Sequence, residues 1–278
     1  MNNKMTIYKI FRGVLGPIYK LWYNPTIIGK ENIPKDGSFL IVGNHVHIMD
    51  QCNIIVSTKR NIHYMAKKEY FDPQYKEGKF PWFFKSAGCI PVDSSKKDEE
   101  ATQHALDVLN NKHALGLFPE GTRNALKEDR IKELYHYKED KMSYEDFKKS
   151  MKKNKTSLTN YLEELYNKKI ITEEEFQDNL LNPKQFIELL VKDHRLTTEE
   201  YLDNYLLPLK FGAVSMSLKT DSYIVPYAIT GDYKFRSKNL TVRIGKPFKA
   251  TSDLKESNDK LKKEILSLVK ENLENTGK

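Results

Sequence analysis

Short apolar runs alternating with helical patterns constrain this chain more than any other feature. Residues 39–42 (FLIV), 62–66 (IHYMA), 89–92 (CIPV) and 115–118 (LGLF) read as strands. Between them, residues 51–58, 80–87 and 99–110 read as helices, the last from the spacing of Ala101, Leu106 and Leu109. After residue 208 the pattern resumes, with a helix over 211–219, strands over 223–229 and 240–244, and a charged helix from about residue 258. Strands and helices in alternation predict an α/β fold, a sheet flanked by helices. The 278 residues, 39% hydrophobic, suffice for one large domain or two modest ones.

The middle of the chain departs from this pattern. Residues 125–207 hold 15 Lys and Arg against 18 Asp and Glu, whereas the remainder holds 31 against 20. The segment also repeats a local signature. Ser143, Thr172 and Thr197 each stand three residues ahead of an acid (Asp146, Glu175, Glu200) and four ahead of an aromatic (Phe147, Phe176, Tyr201). Ser or Thr three residues before an acid marks a helix start, since the hydroxyl and the carboxylate can satisfy each other's backbone N–H groups. The segment resembles the short helical modules that serve as small interaction domains, and it reads equally as a solvated helical spacer. The expected organisation is a helical segment over 1–30, a domain over 31–124 and 208–278, and a helical insertion over 125–207.

The formal charge of +8 favours an anionic partner. Part of it lies at the N-terminus, where residues 1–30 carry Lys4, Lys9, Arg12, Lys20 and Lys30 and no acid. Among them stand Ile7, Phe11, Val14, Ile18, Leu21 and Trp22. That mixture suits a helix lying in an anionic headgroup layer, and also an ordinary amphipathic helix docked on the body. No uncharged apolar stretch of about 18 residues occurs, so no spanning helix is predicted. There is no secretory h-region. The two cysteines, Cys52 and Cys89, form no CxxC pair, which fits packing roles in a reducing compartment.

Two clusters follow predicted strands. The first is Asn44-His45-Val46-His47-Ile48-Met49-Asp50, after the run 39–42. Side chains just past the carboxyl end of a strand sit where open α/β sheets keep their crevices. A carboxylate on one imidazole nitrogen fixes the tautomer and leaves the other nitrogen as a base. His45 and Asp50 can therefore form an acid–base pair, or Asp50 can cap the following helix while His45 packs. The second cluster is Phe118-Pro119-Glu120-Gly121-Thr122-Arg123-Asn124. Gly121 permits close backbone approach, and the Arg123 fork suits phosphate oxygens. Glu120 is positioned either to meet a substrate hydroxyl or to hold Arg123.

Taken together, these blocks closely resemble the glycerolipid acyltransferase family, in particular bacterial lysophosphatidic acid acyltransferases. The family's N-H-x4-D block is residues 44–50. Its lysine and G-x-I-x-V-D block appears as Ala66-Lys67-Lys68-Glu69 and Gly88-Cys89-Ile90-Pro91-Val92-Asp93. Its F-P-E-G-T-R-S block is residues 118–124, with Asn124 in place of serine. Its last block is Lys210-Phe211-Gly212 with Val225-Pro226-Tyr227-Ala228. The match covers about residues 25–124 and 208–250; most members bridge residues 125–207 with a far shorter stretch.

The resemblance implies an acyltransferase-type mixed sheet. It implies that His45, oriented by Asp50, deprotonates the free hydroxyl of a lysophospholipid, which attacks an acyl thioester without an acyl-enzyme. Asn44, Lys68, Glu120, Gly121, Thr122, Arg123 and Lys210 are then expected to bind substrate, Lys68 and Arg123 on phosphate. The implied donor is acyl carrier protein or acyl-coenzyme A, with no metal or other cofactor. The implied place is the cytoplasmic face of the cell membrane, peripherally bound, within phospholipid biosynthesis. Another lysolipid, a glycolipid or aminolipid, is an alternative acceptor.

Other chemistries fit less well. His45, His47 and Asp50 resemble the H-x-H-x-D-H run of metallo-β-lactamase-type hydrolases, but the aspartate is one residue late and Gln51 stands where a histidine ligand is needed. There is no G-x-S-x-G nucleophile elbow and no nucleic-acid recognition motif. A non-catalytic scaffold that keeps the fold would not need His45, Asp50, Glu120 and Arg123 together.

Overall fold

The apolar runs become strands of one sheet. The structure, a computed structural model, describes residues 5–74, 81–93, 95–125, 143, 146, 156–180 and 182–275. It divides into two units, Met1–Thr122 with Leu209–Lys278, and Arg123–Pro208.

In the first unit the described strands are β1 (Thr26–Ile28), β2 (Phe39–Gly43), β3 (Ile62–Lys67), β4 (Ile90–Val92), β5 (Ala114–Leu117), β6 (Tyr223–Thr230) and β7 (Thr241–Ile244). They form one sheet in the order β1-β7-β6-β2-β5-β3-β4, parallel except for the antiparallel pair β6 and β7. β2 sits at the centre, and all five of its residues are buried. That matches its unbroken apolar sequence, since a strand covered on both faces has no polar side to show. β1, missed by the sequence reading, is a short edge strand. Helices α1 (Thr6–Ile10), α2 (Gly16–Tyr23), α3 (Asp50–Ile55), α4 (Pro81–Ser86), α5 (Glu99–Asn110), α10 (Gly212–Thr220) and α11 (Leu254–Asn275) cover this sheet. The result is the expected mixed sheet flanked by helices.

Small residues let the central strands close up. A side chain at Gly43 would strike the Tyr227 ring at 2.5 Å, and one at Gly116 would strike the Tyr64 ring. Each tyrosine therefore lies flat over a neighbouring strand and fills the core with Phe39, Ile41, Ile54 and Val225. α5 starts as the sequence predicts, with Asp98 accepting the Ala101 N–H at 3.0 Å.

From Thr6 to Tyr23 the backbone is helical throughout, with a π-helical stretch over Phe11–Leu15. Tyr8 and Tyr19 face inward. Ile10, Val14, Leu15, Ile18, Leu21 and Trp22 face outward, Leu21 at 72% exposure. Met1 to Lys4 lie outside the described residues. Among those described, no helix is long and apolar enough to cross a membrane.

The second unit is helical, with α6 (Ser157–Asn167), α7 (Glu173–Asn179), α8 (Pro183–Lys192) and α9 (Thr198–Asp203). Thr172 with Glu175 and Thr197 with Glu200 form the reciprocal capping boxes read from the sequence. Ser143 accepts the Asp146 N–H at 3.2 Å, while Glu145 and Phe147 lie outside the described residues. Its core gathers Leu162, Leu165, Phe176, Ile187, Leu190 and Tyr201. Asn124, standing where the motif expects serine, ties the unit shut: it accepts the Ser157 N–H at 2.9 Å and donates to the Tyr205 carbonyl at 3.0 Å.

Candidate active site

Three parallel or neighbouring strand ends build the site. β2 and β5 pair in register, Val42 opposite Leu117, so the residues after each leave the sheet side by side. β6 flanks β2 on the other side, with Gly43 opposite Tyr227. His45, Glu120 and the segment after β6 thus meet at one carboxyl edge, where parallel sheets open crevices.

The loop from His45 to Met49 is pinned by two buried carboxylates. Asp50 Oδ2 lies 2.8 Å from His45 Nδ1 and accepts the N–H groups of Val46 at 2.7 Å and His47 at 2.8 Å. Glu120 Oε1 accepts the His45 N–H at 3.0 Å. Three successive backbone donors are therefore all taken by acid side chains. Asp50 itself is fully buried, a position a carboxylate holds only when donors surround it. Tyr233 completes the set, donating its hydroxyl to Asp50 Oδ1 at 2.6 Å.

This corrects one expectation. Asp50 is not the cap of α3 but its first residue; Met49 holds the cap position without a side-chain bond. The carboxylate instead turns back over the loop to the imidazole. Because it can only accept, His45 Nδ1 carries the proton and Nε2 is left as the basic nitrogen. The ring stacks on Phe118, centroids 3.8 Å apart and 13° from parallel, which fixes its plane.

Two residues expected on substrate are buried beneath the loop. Asn44 is buried, with its amide donating to the Ile229 carbonyl and accepting the Ile229 N–H, both at 2.8 Å. It bolts the start of the loop to β6. Glu120 is 4% exposed and accepts the His45 N–H, bracing the loop from within. The parallel pairing of β2 with β5 and β6 turns both side chains inward.

Gly121, Thr122 and Arg123 are exposed, Arg123 opening the second unit. Gly121 has φ +71°, and a Cβ there would lie 2.6 Å from both Cε and Nζ of Lys210. The exposed Lys210 chain thus runs along the Gly121 turn, its N–H donating to the Pro119 carbonyl at 2.8 Å. Lys68 follows β3 at the same carboxyl edge, half-exposed, with Nζ 2.7 Å from Asp93 after β4. Lys68, then Ser95, holds the Asp93 carboxyl far below the usual range.

His47 stacks on Tyr233 at 4.1 Å, and its Nδ1 accepts the Met49 N–H. Among the described residues no three acid, histidine or cysteine side chains converge as metal ligands. Burial, then the Asp50 charge, pushes the Cys52 thiol up to about 12, and burial does the same to Cys89, so neither is poised as a nucleophile. The sequence reading missed Tyr233, Asn53 and Phe118 as site residues. The one available signal was position, since Phe118 ends a predicted strand and Tyr233 lies four residues past another.

A family model described as Acyltransferase matches residues 24–230. The 1-acyl-sn-glycerol-3-phosphate acyltransferase of Bacillus subtilis (strain 168) is 30% identical over 120 residues, 43% of this chain; the match spans 58% of that relative's length. Among solved structures, the 1-acyl-sn-glycerophosphate (LPA) acyltransferase PlsC from Thermotoga maritima aligns with 98% of this chain and 84% of its own. The TM-score is 0.51 and the identity 17%, a likeness of fold.

Proposed function

This chain belongs to the acyltransferase family, and from that premise we propose that it moves a fatty acyl group from an acyl thioester to the free hydroxyl of lysophosphatidic acid, giving phosphatidic acid. The observation that carries the reading is the His45–Asp50 pair, with Nδ1 engaged at 2.8 Å and Nε2 left as base. In the reaction His45 Nε2 takes the hydroxyl proton as the oxygen attacks the thioester carbonyl. The imidazolium is stabilised by Asp50. The tetrahedral intermediate collapses, the carbon–sulfur bond breaks, and the departing thiolate takes the proton back. Atoms balance with no acyl-enzyme and no cofactor.

Exposed cations suit a phosphorylated acceptor: Lys210 beside the Gly121 turn, Lys68 at the end of β3, and Arg123 next to Thr122. Acyl carrier protein or acyl-coenzyme A would supply the thioester. The outward apolar face of the N-terminal helix, with Lys9 and Lys20 exposed on the same helix, supports peripheral binding to an anionic membrane, proposed to be the cytoplasmic face of the cell membrane.

The test is acyl transfer in mixed micelles, parent beside His45→Ala, with lysophosphatidic acid and each thioester, read by lipid mass spectrometry. Phosphatidic acid formed by the parent alone supports both reaction and base. Product only with a glyco- or amino-lysolipid moves the acceptor; equal product from His45→Ala overturns the mechanism.

A further inference from the structure

Behind Asp50 the hydrogen bonds continue in one direction. Tyr233 donates to Asp50 Oδ1 at 2.6 Å and accepts from the Asn53 amide at 2.7 Å. Asn53 Oδ1 in turn accepts the Tyr19 hydroxyl at 2.9 Å. Tyr19 belongs to α2, Asn53 to α3 and Tyr233 to the segment after β6. Asn53 is fully buried and Tyr19 nearly so, so water cannot readily substitute for these partners. A second set of contacts runs beside the first: Tyr19 on Tyr23 at 5.1 Å, Tyr23 edge-on to Tyr233 at 5.6 Å, and Tyr233 stacked on His47.

We infer that Tyr233 is a positioning residue for the His45–Asp50 pair, and that through Asn53 and Tyr19 it makes the geometry of that pair depend on the seating of α2. The argument is directional. Asp50 has two oxygens. Oδ2 is fixed by the loop and by His45, so the carboxylate plane is set only when Oδ1 is also held. Tyr233 is the group seen holding it, with Asn53 presenting the amide donor that orients the hydroxyl toward Asp50. Asn53 is oriented by Tyr19, since the amide oxygen must face the one hydroxyl and the nitrogen the other. Successive donors pointing the same way strengthen one another. The helix at the far end turns Ile18, Leu21 and Trp22 outward, so the face available to a lipid surface and the residue that reaches the pair lie on one short helix.

The inference rests on His45 acting as base in the proposed transfer, and its test separates the two. Tyr233→Phe and Tyr19→Phe each remove one hydroxyl and keep the ring. In the full-length protein, steady-state transfer from an acyl thioester to lysophosphatidic acid should show kcat lower by roughly 10- to 100-fold in Tyr233→Phe, the weight of a hydrogen bond to a charged group. KM for both substrates should stay within about twofold, and Tyr19→Phe should follow in the same direction with a smaller loss. In an Asp50→Asn background, Tyr233→Phe should cost less than about twofold further, because the two act as one unit. The His45 Nδ1 proton resonance, identified by its loss in His45→Ala, should move in both hydroxyl-deleted variants. That reading needs no turnover. A moved resonance without any lysolipid acylation would sink the proposed function and leave the positioning role standing. An unmoved resonance, unchanged kcat, or a loss that adds fully to that of Asp50→Asn would overturn the inference. If Tyr233→Phe does not fold, Tyr19→Phe decides it on the same readouts.

Discussion

His45 Nδ1 and Asp50 Oδ2 lie 2.8 Å apart across a loop whose own N–H groups, at Val46 and His47, bind that same oxygen. One buried carboxylate thus both shapes the loop and orients the imidazole it carries. Asp50→Asn removes the charge that stabilises the imidazolium and offers an amide where three donors already converge. The expected loss is about 10²- to 10⁴-fold in kcat, with a smaller change in KM. Steady-state kinetics against the parent checks it, with circular dichroism to confirm the fold.

The outward face of the N-terminal helix predicts lipid binding separable from chemistry. Val14→Asp and Leu21→Asp alter side chains that are 60% and 72% exposed, so the fold should be kept. Each should weaken binding to anionic vesicles by about tenfold or more, from the apolar area no longer buried. Vesicle sedimentation measures this, and undiminished binding would refute a membrane role for that face.

Gly121→Ala should be costly for two local reasons. An alanine at φ +71° is strained by about 1–2 kcal/mol. Its methyl would also displace the end of Lys210 from beside the turn. The expected result is a modestly lower melting temperature and a raised KM for a phosphorylated acceptor, with KM for the thioester little changed.

Tyr227 predicts the opposite sign. Its ring fills the core over Gly43, but its hydroxyl finds no hydrogen-bond partner among the described residues. Burial, with Asp50 and Glu120 near, pushes its phenol well above the ordinary value, so it stays protonated. Tyr227→Phe removes an unsatisfied buried polar atom and keeps the packing. Stability should be unchanged or higher by about 1 kcal/mol, measured by urea unfolding. A loss of several kcal/mol would show that the hydroxyl is paired in solution.

A pH effect is expected in the second unit. Arg195, and then the Thr172 N–H, hold the Glu175 carboxyl down at about 2, against an ordinary 4.5. Its stabilisation is therefore fully present above pH 4.5 and is lost as pH falls from there toward 2. Glu175→Gln should melt lower than the parent at pH 7, and the gap should close over that window. Melting followed from pH 7 to pH 2 tests the sign.

Much of this was legible because it is local. Strand runs such as 39–42 and 223–229 declare themselves by their apolar residues, and Thr172 and Thr197 declare helix starts within four residues. The motif residues His45 and Asp50 are likewise close in sequence, and the family blocks containing them could be read directly. The second role of Asp50 was not legible: a cap and a loop brace use the same residue five positions from His45. Only the fold of the loop decides which way the carboxylate turns.

What the sequence alone determined is the set of elements and the nitrogen and oxygen atoms available for chemistry. What the tertiary structure decided is which of them meet. Tyr233 reaches Asp50 across 183 positions, and Asn44 reaches Ile229 across 185, because β6 returns to lie beside β2. Strand order is a global outcome of packing many faces at once. No short window of sequence encodes it, so the residues that steady the pair could be found only once the sheet was assembled.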